Sequence, residues 1–466
     1  MTRPLTRRNF IFHTARVGLA SLAIPAFLAA CTMRTAQSTA PPTNAAASTR
    51  TALVAPTLRT TTTRTEADDH PPIIFVHGNG NASSLWHTAI WRFESNGWPR
   101  DRLFAVDFPY PTARDDDSVA QASRSGSDEQ RGQLLAVVES VIARTGMAKV
   151  VLIGSSRGGN SIRNLLKNDD GATRVSHAIL CGTPNHGAYV RTGDRNEFNG
   201  VGPFLQGLNA GSEVVPNVAF LTNRSDTNDL YAQPGGGGYD GPALAGATNI
   251  VLPRVDHNET ATSAQAFATI YQFLNGQAPT VEIIPETSVE LNGRVTGFDG
   301  TTPTNLAVSG VAVTIYAIDP LTGERRGAAQ HGQITDSSGI WGPFVTRPDT
   351  YHEFVVAAPD QPMRHFFRSP FPRSSAYVGL RLWPDTAIPE QGRIIFTRPR
   401  GYIAGGRDTA LLDGKPLPGL KTGLSTEGTF RIPFPGPERA IPAVFNDETM
   451  TVRSIPGAIS YAEFHY

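Results

Sequence analysis

Between Pro71 and Gly276 two rhythms of apolar residues alternate along the chain. Short unbroken runs have the length and make-up of strands buried on both faces: PIIFV (Pro72–Val76), RLFAVDF (Arg102–Phe108), KVVLIG (Lys149–Gly154), HAILCG (His177–Gly182), NVAFLT (Asn217–Thr222) and NIVLP (Asn249–Pro253). Between them, Leu134, Leu135, Val137, Val138, Val141 and Ile142 recur at helical spacing over Glu129–Arg144, and Gly158–Lys167 and Ser263–Leu274 also read as helices. Strands alternating with helices predict one α/β domain, a mostly parallel sheet covered on both faces.

From Gln277 the pattern changes. LNGRVTGF, GVAVTIYAID, HEFVVAA, YVGLRLW, GRIIFTR and FRIPF are short β-rich runs, separated by turn signals such as DGTTPTN, DSSG and LDGKPLPG. Helical periodicity fades out, which predicts an all-β sandwich or barrel, with a split into two subdomains near Pro359–Pro370 left open. Ahead of both blocks, residues 32–66 are mostly Thr, Ala, Ser and Pro with few large apolar side chains, too little to offset ordering entropy. The expected layout is therefore a leader over 1–31, a tether over 32–66, an α/β domain over 67–276 and a β-rich domain over 277–466.

The leader reads as an export signal. Arg7 and Arg8 in TRRNF precede the apolar run Val17–Ala30, which is too short and proline-broken for a membrane span. Paired arginines are the mark of twin-arginine export, and Leu28-Ala29-Ala30-Cys31 resembles a lipoprotein cleavage site with Cys31 as the lipidated residue. The alternative is a plain secretory signal with an incidental cysteine. Either reading places the mature chain outside the cytoplasm, and the first adds a membrane tether.

Composition narrows the chemistry. The 41 basic and 41 acidic residues cancel, which removes any expectation of a nucleic-acid partner. With only two cysteines, Cys31 and Cys181, no disulfide framework is expected, and Cys181 reads as a buried thiol at a strand end. No metal-ligand spacing and no cofactor motif stand out; the GGGG run at 235–238 lacks the Lys-Ser/Thr of a phosphate cradle.

One turn carries reactive potential. Gly154-Ser155-Ser156-Arg157-Gly158 fits G-x-S-x-G at a strand-to-helix corner, where Ser156 would be lifted above the sheet and flanking glycines would avoid collisions. The competing reading is a helix-start turn with a capping serine. An acyl-transfer site also needs two N–H donors for the developing oxyanion: Arg157, after the serine, and Asn79 in VHGNGN, after the first strand. His77 in that loop reads as structural. The serine needs a base and the base an acid. Asp226 and Asp229 are the acid candidates in NRSDTNDLYAQP, and His257 in RVDHNETATS is the histidine that follows them within this block.

At these motifs the sequence resembles α/β-hydrolase lipases. NDLYAQP and DHNETATS are similar to the acid and histidine loops of yeast lipase B, and VHGNGN and the serine corner match the same family's oxyanion loop and nucleophile, with histidine-glycine in place of proline-glycine. The order of domains, with FATIYQFLNG followed by LNGRVTGFDG and SGVAVTIYAID, resembles an archaeal long-chain lipase carrying a C-terminal β-barrel for lipid. The resemblance implies Ser156 as nucleophile, Asp229 as acid with Asp226 as the alternative, His257 as base, and Asn79 and Arg157 as oxyanion donors. It also implies a lipid or other hydrophobic ester as substrate and no cofactor. A polyester depolymerase or an acyltransferase would use the same residues, and a non-catalytic lipid- or polymer-binding lipoprotein is the rival of a different class. Two further features stay open: 188–216 as a lid or a packed crossover helix, and RHFFRSPFPR (Arg364–Arg373) as a surface patch or, more commonly, buried aromatics.

Overall fold

Seven strands form the first sheet of the computed structural model, which describes residues 53–54, 70–233, 241–388 and 390–466. The leader with Cys31, the glycines 235–238 and all of the expected tether except Leu53–Val54, which forms an edge strand, lie outside these residues. In chain order the strands are β1 (Leu53–Val54), β2 (Ile73–Val76), β3 (Leu103–Asp107), β4 (Val150–Ser155), β5 (Val175–Cys181), β6 (Ala219–Ser225) and β7 (Thr248–Leu252). Their spatial order is β1-β3-β2-β4-β5-β6-β7, parallel apart from the β1 edge. The helices are α1 (His87–Ser95), α2 (Ser127–Thr145), α3 (Arg157–Asn168), α4 (Pro203–Asn209), α5 (Glu259–Thr262) and α6 (Ala264–Asn275).

The unbroken apolar runs sort by the two-residue period of a strand. Ile73, Phe75, Val151, Ile153, Ile179 and Cys181 face one core with Phe93 of α1 and Phe267 of α6. Ile74, Val76, Val150, Leu152, Ala178 and Leu180 face the other with α2 and α3 residues such as Val138 and Leu165. α2 begins where Glu129 reaches back to accept from the Gly126 N–H (2.8 Å) and stops at Gly146, whose φ of 66° favours glycine. The observed elements match the expected α/β grammar, with β1, α1 and α5 as additions that the apolar pattern did not single out.

The β-rich region is more layered than a simple sandwich. A seven-stranded sheet contains Tyr351–Ala357, Arg364–Arg368, Ile459–Glu463 and Gln391–Thr397 as consecutive neighbours. The first two pair antiparallel, one before Pro359–Pro370 and the other within it, so one sheet runs across the point where a split was left open. Each face of it has a core. Phe354, Phe366, Ile395 and Tyr461 pack with Leu291 and Val295, whereas Phe367, Ile394 and Phe396 pack with Leu412, Ile441 and Val452 of a four-stranded sheet. RHFFR is accordingly buried, aromatics and arginines together.

The α/β and β-rich regions lie within one compact unit, Thr49–Tyr466, and exchange aromatic residues. Trp91 of α1 sits in the β core and donates to the Ser374 carbonyl (2.9 Å). Tyr377 sits in the α/β core, where its hydroxyl accepts from the Ala105 N–H (3.1 Å) and donates to the Leu103 carbonyl (3.3 Å).

Candidate active site

Ser156 occupies the corner between β4 and α3 with φ 53° and ψ −120°, a conformation that costs a non-glycine residue energy and is sustained by its surroundings. The glycines explain how the corner closes. A Cβ on Gly158 would meet the Val76 carbonyl oxygen at 2.3 Å, one on Gly154 the Gly159 nitrogen at 2.6 Å, and one on Gly78 the Ser156 Cβ at 3.0 Å. Ser156 N–H donates to the Cys181 carbonyl (2.8 Å), tying the corner to the next strand. Ser155 is fully buried and faces the scaffold, while burial pushes the Cys181 thiol upward, away from nucleophilic use.

The two expected oxyanion donors flank this corner. Arg157 is the first residue of α3, where a backbone N–H has no helical acceptor. Its side chain is buried: it pairs with Glu197, donates to the carbonyls of Pro111 (3.0 Å) and Ser125 (2.6 Å), and so fixes the helix start to two loops. Asn79 is exposed at the tip of its loop, and its Oδ1 accepts from the Ala113 N–H (2.7 Å). Beneath, His77 is buried; its Nε2 accepts from the Phe108 N–H (3.2 Å), which leaves Nδ1–H to donate to the Gly78 carbonyl (2.8 Å). Burial lowers its pKa to about 4, so it is a neutral strut, as its sequence context suggested.

Across the same cavity, His257 Nδ1 lies 2.8 Å from Asp229 Oδ2, both buried. Asp229 Oδ1 accepts from the N–H groups of Tyr231 (2.7 Å) and Ala232 (3.1 Å). Burial alone would raise the Asp229 carboxyl, but the His257 charge and these hydrogen bonds outweigh it and hold the pKa below the ordinary value. Burial likewise opposes a charged His257, and the Asp229 charge and hydrogen bond, with the Asp256 charge, overcome it and raise the pKa. Asp226 sits at a turn instead, accepting from the Thr227 N–H (2.6 Å) and Asn228 Nδ2 (3.2 Å).

A cavity of about 540 Å³ is lined by Ser156, Asn79 and His257 together, and by Tyr377, Trp383, Arg398 and Tyr402 of the β-rich region. That region also clamps the histidine loop. Asp256 Oδ2 accepts from the Tyr402 N–H (2.6 Å) and lies 3.3 Å from Arg398 Nη1 and 3.2 Å from Arg407 Nη2. Glu259 takes a bond from each arginine, at 2.5 and 3.2 Å. Burial and the Glu259 charge raise Asp256 to about 6, against the pull of the two arginines. Asp256 stands in DHNE beside His257, but nothing in its own segment points to partners over 140 residues away. The 188–216 segment resolves into two parts. Ala188, Tyr189 and Phe198 line the cavity, whereas α4 is a crossover helix fixed to α3 by Arg163 and Lys167, which donate to the Leu208 carbonyl (3.4 and 3.0 Å).

Residues 70–221 match the class 2 lipase family, and residues 287–383 match the lipase C-terminal domain. Both matches are to lipase families. A triacylglycerol lipase of Vibrio cholerae is 49% identical over 99 residues, 20% of this chain and 26% of that protein, so the chain matches about a quarter of that relative. Among solved structures, lipase B of Aspergillus fumigatus aligns over 46% of this chain and 54% of its own at 16% identity and a TM-score of 0.37. A Bacillus licheniformis lipase in its propeptide form aligns over 86% and 96% at 15% identity and a TM-score of 0.35. The lipase-family segments thus span the serine corner and the start of the β-rich region.

Proposed function

We propose that this chain hydrolyses carboxylic esters through an acyl-enzyme, with Ser156 as nucleophile, His257 as base and Asp229 as the acid that orients it. The observation that carries the reading is the 2.8 Å bond between His257 Nδ1 and Asp229 Oδ2, facing the cavity that Ser156 also lines. With Nδ1–H committed to Asp229, Nε2 is the nitrogen able to take the serine proton. The serine oxygen attacks the ester carbonyl, the Asn79 and Arg157 N–H groups hold the oxyanion, and His257 returns its proton to the leaving alcohol. Water then repeats the sequence on the acyl-enzyme. The aromatic lining and the lipase-family matches favour long-chain acyl esters, triglyceride foremost.

The reading extends to location. Arg7-Arg8 and the Leu28–Cys31 sequence support export and a lipid anchor at Cys31, which would set the enzyme on the cell envelope beside hydrophobic substrate. The decisive experiment is hydrolysis of nitrophenyl esters of rising acyl length by the protein and its Ser156→Ala variant, with fluorophosphonate labelling in parallel. Activity that rises with chain length and falls roughly 10³-fold or more in the variant supports the reading. Two equally inert proteins, neither labelled, would move the chain to the class of lipid- or polymer-binding lipoproteins.

A further inference from the structure

The cavity wall supplied by the β-rich region carries a charge without a counter-charge. The strand Val295–Asp299 runs parallel to Leu380–Arg381, with Val295 opposite Leu380 and Thr296 opposite Arg381. Val295 and Leu380 enter the β core, so strand alternation turns Arg294, Thr296, Gly379 and Arg381 to the other face, and all four line the cavity of Ser156 and His257. Arg381 is answered there: it donates to the Gly80 carbonyl (3.0 Å) and to Asn305 Oδ1. Arg294 is not. Its Nε and Nη1 are enclosed with no acceptor among the described residues, which leaves Nη2 as its open nitrogen.

The other charges of the cavity are already taken. Asp107 accepts from the Ser83 N–H (2.7 Å) and hydroxyl (2.9 Å), Glu463 pairs with Arg368 (2.9 Å), and Arg398 is held by Asp256 and Glu259. Arg294 is partly buried, and a guanidinium with Nε and Nη1 shut from water without an acceptor forgoes hydrogen bonds it would make in solution. We propose that the ester taken by this site carries an anionic group, a carboxylate or a phosphate, whose oxygens pair with Arg294. That the ligand is an ester rests on the hydrolase reading; the anion site does not. The apolar remainder of such a substrate has Trp383 and Tyr402 to lie against.

Two matched pairs test this with the full chain. One is the nitrophenyl ester of adipic acid, free at its far end or methylated there. The other is a short-chain phosphatidate against the diacylglycerol of the same acyl length. The ratio of kcat/KM, anionic over neutral, is expected to favour the anion about tenfold in one pair, to vanish in Arg294→Gln and to survive in Arg294→Lys. The pair that responds tells carboxylate from phosphate. A ratio unchanged in Arg294→Gln, or a preference for both neutral members, overturns the proposal. Should Arg294→Gln not fold, the wild-type ratio read against salt decides: shrinkage supports the pairing, and no salt dependence overturns it. A calorimetric titration of Ser156→Ala with monomethyl adipate and hexyl phosphate separates this site from the chemistry. Binding that weakens about tenfold when Arg294→Gln is added, together with a wild-type protein that cleaves no ester, keeps the anion site and removes the hydrolase reading. Turnover of esters with no Arg294-dependent binding does the reverse.

Discussion

The serine side and the histidine side of the cavity are held by different physics. Ser156 stands on glycine-to-backbone contacts made wholly within the α/β sheet, where the spaces at Gly154 and Gly158 are too small for a methyl group. His257 stands on charge: Asp229 beneath it, and beside it Asp256 and Glu259 gripped by Arg398 and Arg407 from the β-rich region. Packing of that kind is local and indifferent to pH or salt, whereas a charge clamp depends on both and on a distant stretch of chain. His257 can therefore be disturbed while Ser156 stays in place.

The strongest way to break the contrast is Asp229→Asn. It keeps the shape and removes the charge that fixes the His257 tautomer, and kcat for a nitrophenyl ester is expected to fall by about 10⁴. Fluorophosphonate labelling is slowed while the fold, read by circular dichroism, is retained. Next comes Arg398→Ala, which leaves Asp256 and Glu259 one guanidinium short; the free energy of unfolding in urea should drop by about 3–5 kcal/mol, the usual penalty for halving a buried pair. An undiminished unfolding midpoint would show that the clamp is decorative. On the serine side, Gly158→Ala places a methyl 2.3 Å from the Val76 oxygen, and about 1–3 kcal/mol of stability should go with it.

Smaller effects sharpen the comparison. His257 must be neutral to act as base, and its pKa is held above the ordinary histidine value of 6.5 by the Asp229 charge and hydrogen bond, so kcat/KM should fall as pH drops through a midpoint above 6.5. The groups facing it are Asp229 and Asp256, the latter backed by Glu259, Arg398 and Arg407. Asp256→Asn removes one raising charge and should move that limb to lower pH by a fraction of a unit; a limb that stays fixed or moves upward counts against the assignment. His77 reads out the opposite case. Its folded value of about 4 lies below the unfolded 6.5, so stability is full above 6.5 and is lost as pH falls toward 4, by about 3 kcal/mol in all. The smallest effect is Asp226→Ala, whose carboxylate only closes a turn: turnover should stay within about twofold and stability within about 1 kcal/mol.

These differences track what could be read from the chain beforehand. Six strands of the first sheet, β2 to β7, were legible as short apolar runs bounded by turn residues; β1, two residues inside the expected tether, was not. α1 was not, because Trp91 serves the β core and Phe93 the α/β core, so no single apolar stripe forms. The β-rich region read as sandwich or barrel; its layering was hidden because neighbours such as Ile394 and Ile395 point into different cores. At the site, Ser156 follows from its glycines, and the structure brings together Asp229 and His257, the pair that family resemblance favoured over Asp226. Arg294, Arg398 and Arg407 were beyond reach, since their roles arise only when segments far apart in sequence are packed together.

The exchange of Trp91 and Tyr377 bears on how such a protein can be inherited. A tail that merely adjoins a catalytic domain can be swapped between enzymes by recombination at the junction. Here each region fills a hole in its neighbour, so a transplanted β-rich half would have to arrive with a host already shaped for Tyr377 and already offering an indole to its own interior. The two halves should therefore descend together, and their lineages should branch in step.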